Sequence, residues 1–182
     1  MLHWLTGENQ IAIHSDVWNM KVFLYSFFLI SGGLCACTSK EVTIEHTVKE
    51  YCEVYSKRDD IERFISFYDD DVVFEDIIGG NKLRGKSAVM VFFDWGNPNF
   101  KKLAPENIIV SETIVQENKA LVKGHFTKFQ WGSDEFEAMH FSTLLHFNDA
   151  QKIVKQVDWI NYPSTLINYN TRANSNDWLM QN

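Results

Sequence analysis

Residues 59–93 read DDIERFISFYDDDVVFEDIIGGNKLRGKSAVMVFF, and the order of signals in this stretch decides the fold. Asp60 is a good helix N-cap and Glu62 suits a first turn, with Ile61, Phe64, Ile65 and Tyr68 as the apolar stripe of a short helix. The acidic corner Asp69-Asp70-Asp71 is expected to end it. The β-branched run over residues 72–78 predicts a strand, closed by Gly79-Gly80. Residues 86–95 predict a further helix, with Ser87 near its start. Upstream, Ile44, Val48, Tyr51, Cys52 and Tyr55 recur at helical spacing and predict a first amphipathic helix. Downstream of a loop at 96–105 come four extended stretches, 107–116, 119–131, 135–147 and 152–162. They are separated by the turn compositions Glu117-Asn118, Gly132-Ser133 and Asn148-Asp149-Ala150. Connections this short require antiparallel neighbours, hence a meander. The expected fold is α+β, with three N-terminal helices packed on a curled antiparallel meander sheet.

Composition sets the outer bounds. The chain has 182 residues, 45% of them hydrophobic and 14% aromatic, which is the composition of a globular domain. A net charge of −7 argues against a nucleic-acid partner, because neutralising phosphates requires a basic face. The chain has no GxSxG elbow, no phosphate-cradling GxxxxGK[ST] loop and no GxGxxG fingerprint, so no cofactor is expected. His125, His140 and His146 lie at strand spacings with one cysteine far away, a pattern that makes no recognisable metal set.

The N-terminal region reads as targeting rather than domain. Residues 22–36, VFLYSFFLISGGLCA, carry no charge and follow Met20-Lys21, a positive residue before a short apolar run. The stretch is shorter than the roughly 20 residues of a membrane-spanning helix. Its end, Leu34-Cys35-Ala36-Cys37, resembles the bacterial lipobox. That resemblance implies cleavage before Cys37, lipidation of its thiol and attachment to the cell envelope by the lipid anchor alone. Residues 1–19 fit no signal grammar and are read as a mis-called start ahead of Met20. The expected organisation is therefore a start region (1–19), a lipoprotein signal (20–36), a lipidated tether (37–43), one domain (44–167) and a flexible tail (168–182). After processing, Cys52 is the one thiol left, so no disulfide holds the domain.

Helix, helix, strand, helix and a four-strand meander resembles the cone-shaped folds related to nuclear transport factor 2, the NTF2-like superfamily. It includes SnoaL-type polyketide cyclases and ketosteroid isomerases. The local likeness is strongest over residues 59–93, and it implies a pocket inside the cone. In the isomerases the aspartate following Glu at the end of this strand moves a proton beside a carbonyl. Asp76 matches that position, and alternation places it with Val72 and Phe74 on an apolar side where desolvation raises a carboxyl's pKa. The alternative is that Asp76 caps the Gly79-Gly80 loop. The helix-1 tyrosine of the isomerase site falls on Cys52, or on Tyr51 with a one-residue insertion, and a plain core tyrosine is the other reading of Tyr51. The second acid falls on Thr143, which makes steroid isomerisation improbable.

Asp158 matches a pocket-facing position, with Ile160 on the same face. Its alternative is an exposed strand carboxylate beside a core Trp159. His125 faces inward with Thr127, Phe129 and Trp131, or outward if the alternation follows Val122, Gly124 and Phe126. The candidate catalytic set is thus Asp76, Asp158, His125 and Tyr51, with Phe74, Phe141, Thr143 and Ile160 around the substrate. The expected ligand is a small, largely apolar organic molecule, acted on by cofactor-free isomerisation, cyclisation or dehydration. The competing expectation is a non-catalytic binding or assembly module. As in many relatives, a homodimer through the outer sheet face is a further expectation.

Overall fold

A computed structural model describes residues 43–166. Helix α1 (Ile44–Lys57) is capped by Thr43, whose hydroxyl accepts from His46 N, and ends where Arg58 enters the left-handed region at φ 52°. Helix α2 (Ile61–Ile65) begins at Asp60 as expected, its carboxylate accepting from Arg63 N at 2.8 Å. Strands β1 (Tyr68–Asp76) and β2 (Asn81–Arg84) form a hairpin, followed by helix α3 (Lys86–Phe93). Then come β3 (Phe100–Lys102), β4 (Ile108–Gln116), β5 (Lys119–Phe126), β6 (Phe129–Trp131), β7 (Asp134–Phe136), β8 (Met139–Phe147) and β9 (Ile153–Ile160).

The main sheet runs β2-β1-β9-β8-β5-β4, and β3-β6-β7 forms a second, three-stranded sheet. The strands β4, β5, β8 and β9 pair antiparallel, as the short turns require. The sheet is nevertheless mixed, because β1 pairs parallel with β9. A parallel pair needs a long connection, and the whole of α3 through β8 supplies it. This corrects the expectation of a purely antiparallel sheet within an α+β fold that otherwise stands.

Four boundaries also differ from the expectation. The acidic corner lies inside β1: Asp70 pairs with Lys86 at 2.6 Å and Asp69 accepts from Asn148 at 2.8 Å, so these carboxylates are partnered at the strand and need no turn. The stretches 119–131 and 135–147 break at Thr127-Lys128 and Glu137-Ala138, where the chain leaves the main sheet to pair β6 with β3 and β7. Helix α3 stops before Trp95 because Asp94 turns left-handed at φ 37°.

The core lies between the helices and one sheet face. In β8 the residues Met139, Phe141, Thr143, Leu145 and Phe147 are buried in strict alternation, leaving His140, Ser142, Leu144 and His146 outward. Phe64 is fully buried at the centre of an aromatic cluster, with ring centroids 5.2 Å from Tyr51, 4.9 Å from Phe93 and 4.6 Å from Trp95. Burying such a ring contributes about 2–3 kcal/mol. Cys52 sits half-buried on α1, and burial pushes its thiol up to about 12, well outside the range of a nucleophilic cysteine. Among the described residues no helix is long and apolar enough to cross a membrane. Cys37, the start region, the signal and the tail beyond 167 lie outside the described residues.

Candidate functional site

The parallel register sets Asp76 of β1 directly beside Asp158 of β9. Neighbouring strands lie about 4.8 Å apart, so the two carboxylates share one patch of the inner face. Both are buried, at 1% and 4% exposure, and both line a cavity of about 450 Å³. Aromatic side chains from three parts of the fold make much of its wall: Tyr55 of α1, Phe92 and Phe93 of α3, and Phe126 and Phe129 of the sheets. Ile160, Met139 and Tyr162 complete the neighbourhood of the acids.

Each carboxylate has its own set of donors. Asp76 Oδ1 accepts from Gly79 N at 2.9 Å, while Oδ2 accepts from Asn81 Nδ2 at 3.3 Å and Tyr162 Oη at 3.0 Å. Asp76 therefore caps its loop and lines the cavity at once; the two sequence readings are compatible. Glycine at 79 is required by this arrangement, since a Cβ there would collide with the Asp76 carboxylate. Asp158 receives both its oxygens' contacts from Gln156 Nε2 at 3.0 Å. Burial pushes Asp158 up to about 7, against the hydrogen bonds from Gln156 and from Thr143 opposite it on β8, and the Asp76 charge adds to the rise. Asp158 is thus held well above the ordinary carboxylate range beside Asp76.

Behind Asp158 stands a buried polar chain. Tyr68 Oη donates to Gln156 Oε1 at 2.7 Å and Tyr51 Oη does so at 3.3 Å, with the two hydroxyls 3.2 Å apart. Two phenols on Oε1 fix the Gln156 amide so that its Nε2 faces Asp158.

The predicted site residues divide accordingly. Asp76, Asp158 and Ile160 meet at the cavity. Tyr51 does not line it: it is 2% exposed and is linked to Asp158 by hydrogen bonds through Gln156. The tyrosine of α1 that reaches the cavity is Tyr55, one helical turn further on. Thr143 is buried against Asp158 rather than offered to a ligand. Phe74 packs in the core on Phe92, at 4.8 Å, and Phe141 on Phe126, at 5.2 Å; neither lines the cavity. His125 faces outward, opposite His140 on the outer face, because β5 buries Ala120, Val122 and Gly124. That removes His125 as a partner acid. Tyr55, Arg58, Asn107 and Tyr162 are cavity residues that the sequence reading did not include. Tyr55 was legible in principle, sharing the apolar stripe of α1 with Tyr51. Among the described residues no three His, Cys, Asp or Glu side chains gather as a metal set.

Comparison with known proteins agrees with this architecture. A candidate SnoaL-like polyketide cyclase from Shewanella putrefaciens superposes with a TM-score of 0.54 at 16% identity, covering 76% of this chain and 97% of that one. An NTF2-like protein of unknown function from Burkholderia pseudomallei gives 0.55 at 16% identity, covering 65% and 90%. A hypothetical protein with a ketosteroid isomerase-like fold from Catenulispora acidiphila, in complex with trimethylamine, gives 0.53 at 12% identity, covering 69% and 91%. At such identities the likeness is one of fold. No curated protein matches the sequence. The SnoaL-like domain model, however, matches residues 48–156, which span α1 to the middle of β9 and carry both the Asp76 loop and the buried Tyr51–Gln156 chain, so the protein belongs to the SnoaL-like domain family.

Proposed function

We propose that the domain binds a small, largely apolar organic molecule in the cavity and moves a proton on it without a cofactor. The observation that carries this reading is the Asp76–Asp158 pair, side by side on adjacent strands at the wall of an aromatic cavity. A volume of about 450 Å³ lies within the range of small-molecule sites. In this reading Asp76 takes a proton from a carbon next to a carbonyl. Asp158, whose carboxyl burial pushes up to about 7, donates to the oxygen on which charge develops. Tyr162, already donating to Asp76, holds that carboxylate in place. Isomerisation, cyclisation and dehydration all use this pair of steps.

The test is α-proton exchange of a generic aryl ketone, 2-tetralone, followed by NMR in deuterated buffer. The expected result is exchange accelerated by the protein and slowed about a hundredfold or more by Asp76→Asn, with the fold intact. Equal exchange for protein and variant would remove the catalytic role.

A second reading has one observation in its favour: both oxygens of Asp76 are already occupied by Gly79, Asn81 and Tyr162. In that reading the cavity binds without turnover, and 2-tetralone shifts the cavity resonances while its exchange stays at the buffer rate. We further propose that the domain is held at the cell envelope through a lipid on Cys37. Supporting this are the charge-free run at 22–36 and the Leu34-Cys35-Ala36-Cys37 sequence at its end. Cys37→Ala should then release the protein from the membrane fraction, and retention there would refute the anchor.

A further inference from the structure

Two buried hydrogen-bond donors in the cavity lining have no partner among the described residues. Arg58 leaves the end of α1, donates through Nη2 to Phe93 O at 3.3 Å and lies over the Phe100 ring, 4.0 Å from its centroid. Its Nε is buried and unbonded. Asn107, only 4% exposed, has a satisfied backbone: its N–H donates to Ser56 O at 2.6 Å and its carbonyl accepts from Thr127 N at 3.0 Å. Its side-chain Nδ2 is buried and unbonded too. The bond to Ser56 ties Asn107 to the last turn of α1, two residues before Arg58. Among the described residues no carboxylate is ion-paired with Arg58, although Asp94 acts on it at longer range. A buried donor without an acceptor is costly, and two of them with a guanidinium in one cavity lining form a site built for a missing acceptor.

We propose that the ligand carries a carboxylate, received by the Arg58 guanidinium and the Asn107 amide. A carboxylate suits the planar fork of an arginine, and one cation balances one negative charge. Tyr55 lines the same cavity as Arg58, Asn107 and the two aspartates. The substrate class is then an apolar acid with its carboxylate at Arg58 and its reactive carbon at the aspartates. The inference rests on the cavity being the ligand site.

The test compares 2-naphthylacetate with its neutral isostere, 2-naphthylacetamide, titrated into the protein and each variant and followed through the naphthyl proton signals of the probe. The acetate should bind about tenfold to a hundredfold more tightly. Arg58→Gln should erase that preference without weakening the amide, and Arg58→Lys should restore part of it. Asn107→Asp, which places a negative charge where the carboxylate sits, should reverse the preference and serves if the Arg58 variants fail to fold. Equal binding of both probes to the unaltered protein overturns the carboxylate and leaves the cavity reading standing. Binding of neither probe overturns both.

Discussion

The proton shared near Asp158 makes stability depend on pH in the direction opposite to most carboxylates. Its folded value is raised from 3.8 to about 7, so the folded chain binds this proton more tightly than the unfolded chain does. The stabilisation is full below about pH 4, declines as the pH rises through 7 and levels off above that. A rise of that size corresponds to roughly 4 kcal/mol in total, of which about 2–3 kcal/mol falls between pH 5 and pH 8. Asp158→Asn keeps the shape and an acceptor for Gln156 Nε2 but cannot ionise. Matched where Asp158 is protonated in both states, below about pH 4, the variant should lead by about 1–2 kcal/mol at pH 5 and gain a further 2–3 kcal/mol by pH 8. Guanidinium unfolding at half-unit pH steps, followed by far-UV circular dichroism, measures the difference directly. Parallel curves for the two proteins across this window would show that Asp158 is ionised on folding, and the acid–base pairing would fall with it.

Other consequences follow from particular contacts. Tyr51→Phe removes the longer of the two phenol bonds to Gln156 while Tyr68 keeps the shorter at 2.7 Å; it should cost about 1 kcal/mol in denaturant unfolding and change 2-tetralone exchange by no more than about twofold. Gly79→Ala pushes a methyl group into the Asp76 carboxylate, so exchange should drop by more than tenfold while the melting temperature falls by only a few degrees. A Cβ on Gly124 would strike the Ile109 carbonyl beside the bulge at Val110/Glu112, so Gly124→Ala should destabilise by roughly 2 kcal/mol or more, read from the same unfolding curves.

What the sequence disclosed and what it withheld follow from the range of the signals. Asp76 was legible from the alternation of its strand, and Asp158 from its match to a pocket-facing position of the isomerases. Together these placements imply two carboxylates in one cavity; their direct pairing in a parallel register was not legible, because short turns report only antiparallel neighbours and the β1–β9 pairing spans the whole meander. The facing of His125 was ambiguous because the alternation is interrupted at Thr127-Lys128, and the two halves of that stretch give opposite answers. Tyr51 and Tyr55 share one helical stripe, and only the placement of α1 over the sheet decides which reaches the cavity. Arg58 and Asn107 stand just outside regular elements, where no periodicity exists to mark them.

The parallel seam between β1 and β9 also fixes the order in which the domain becomes itself during synthesis. Asp76 is made early, yet its neighbour Asp158 lies on the last strand of the domain. The antiparallel hairpins between them need only local closure and can form as they emerge, whereas joining β9 to β1 must bridge more than seventy intervening residues. The two acids therefore meet at the final docking step, and a ribosome still holding β9 in its tunnel carries a half-built cavity with no site in it. Because that step brings two carboxylates together, mild acidity should speed the closing of the seam.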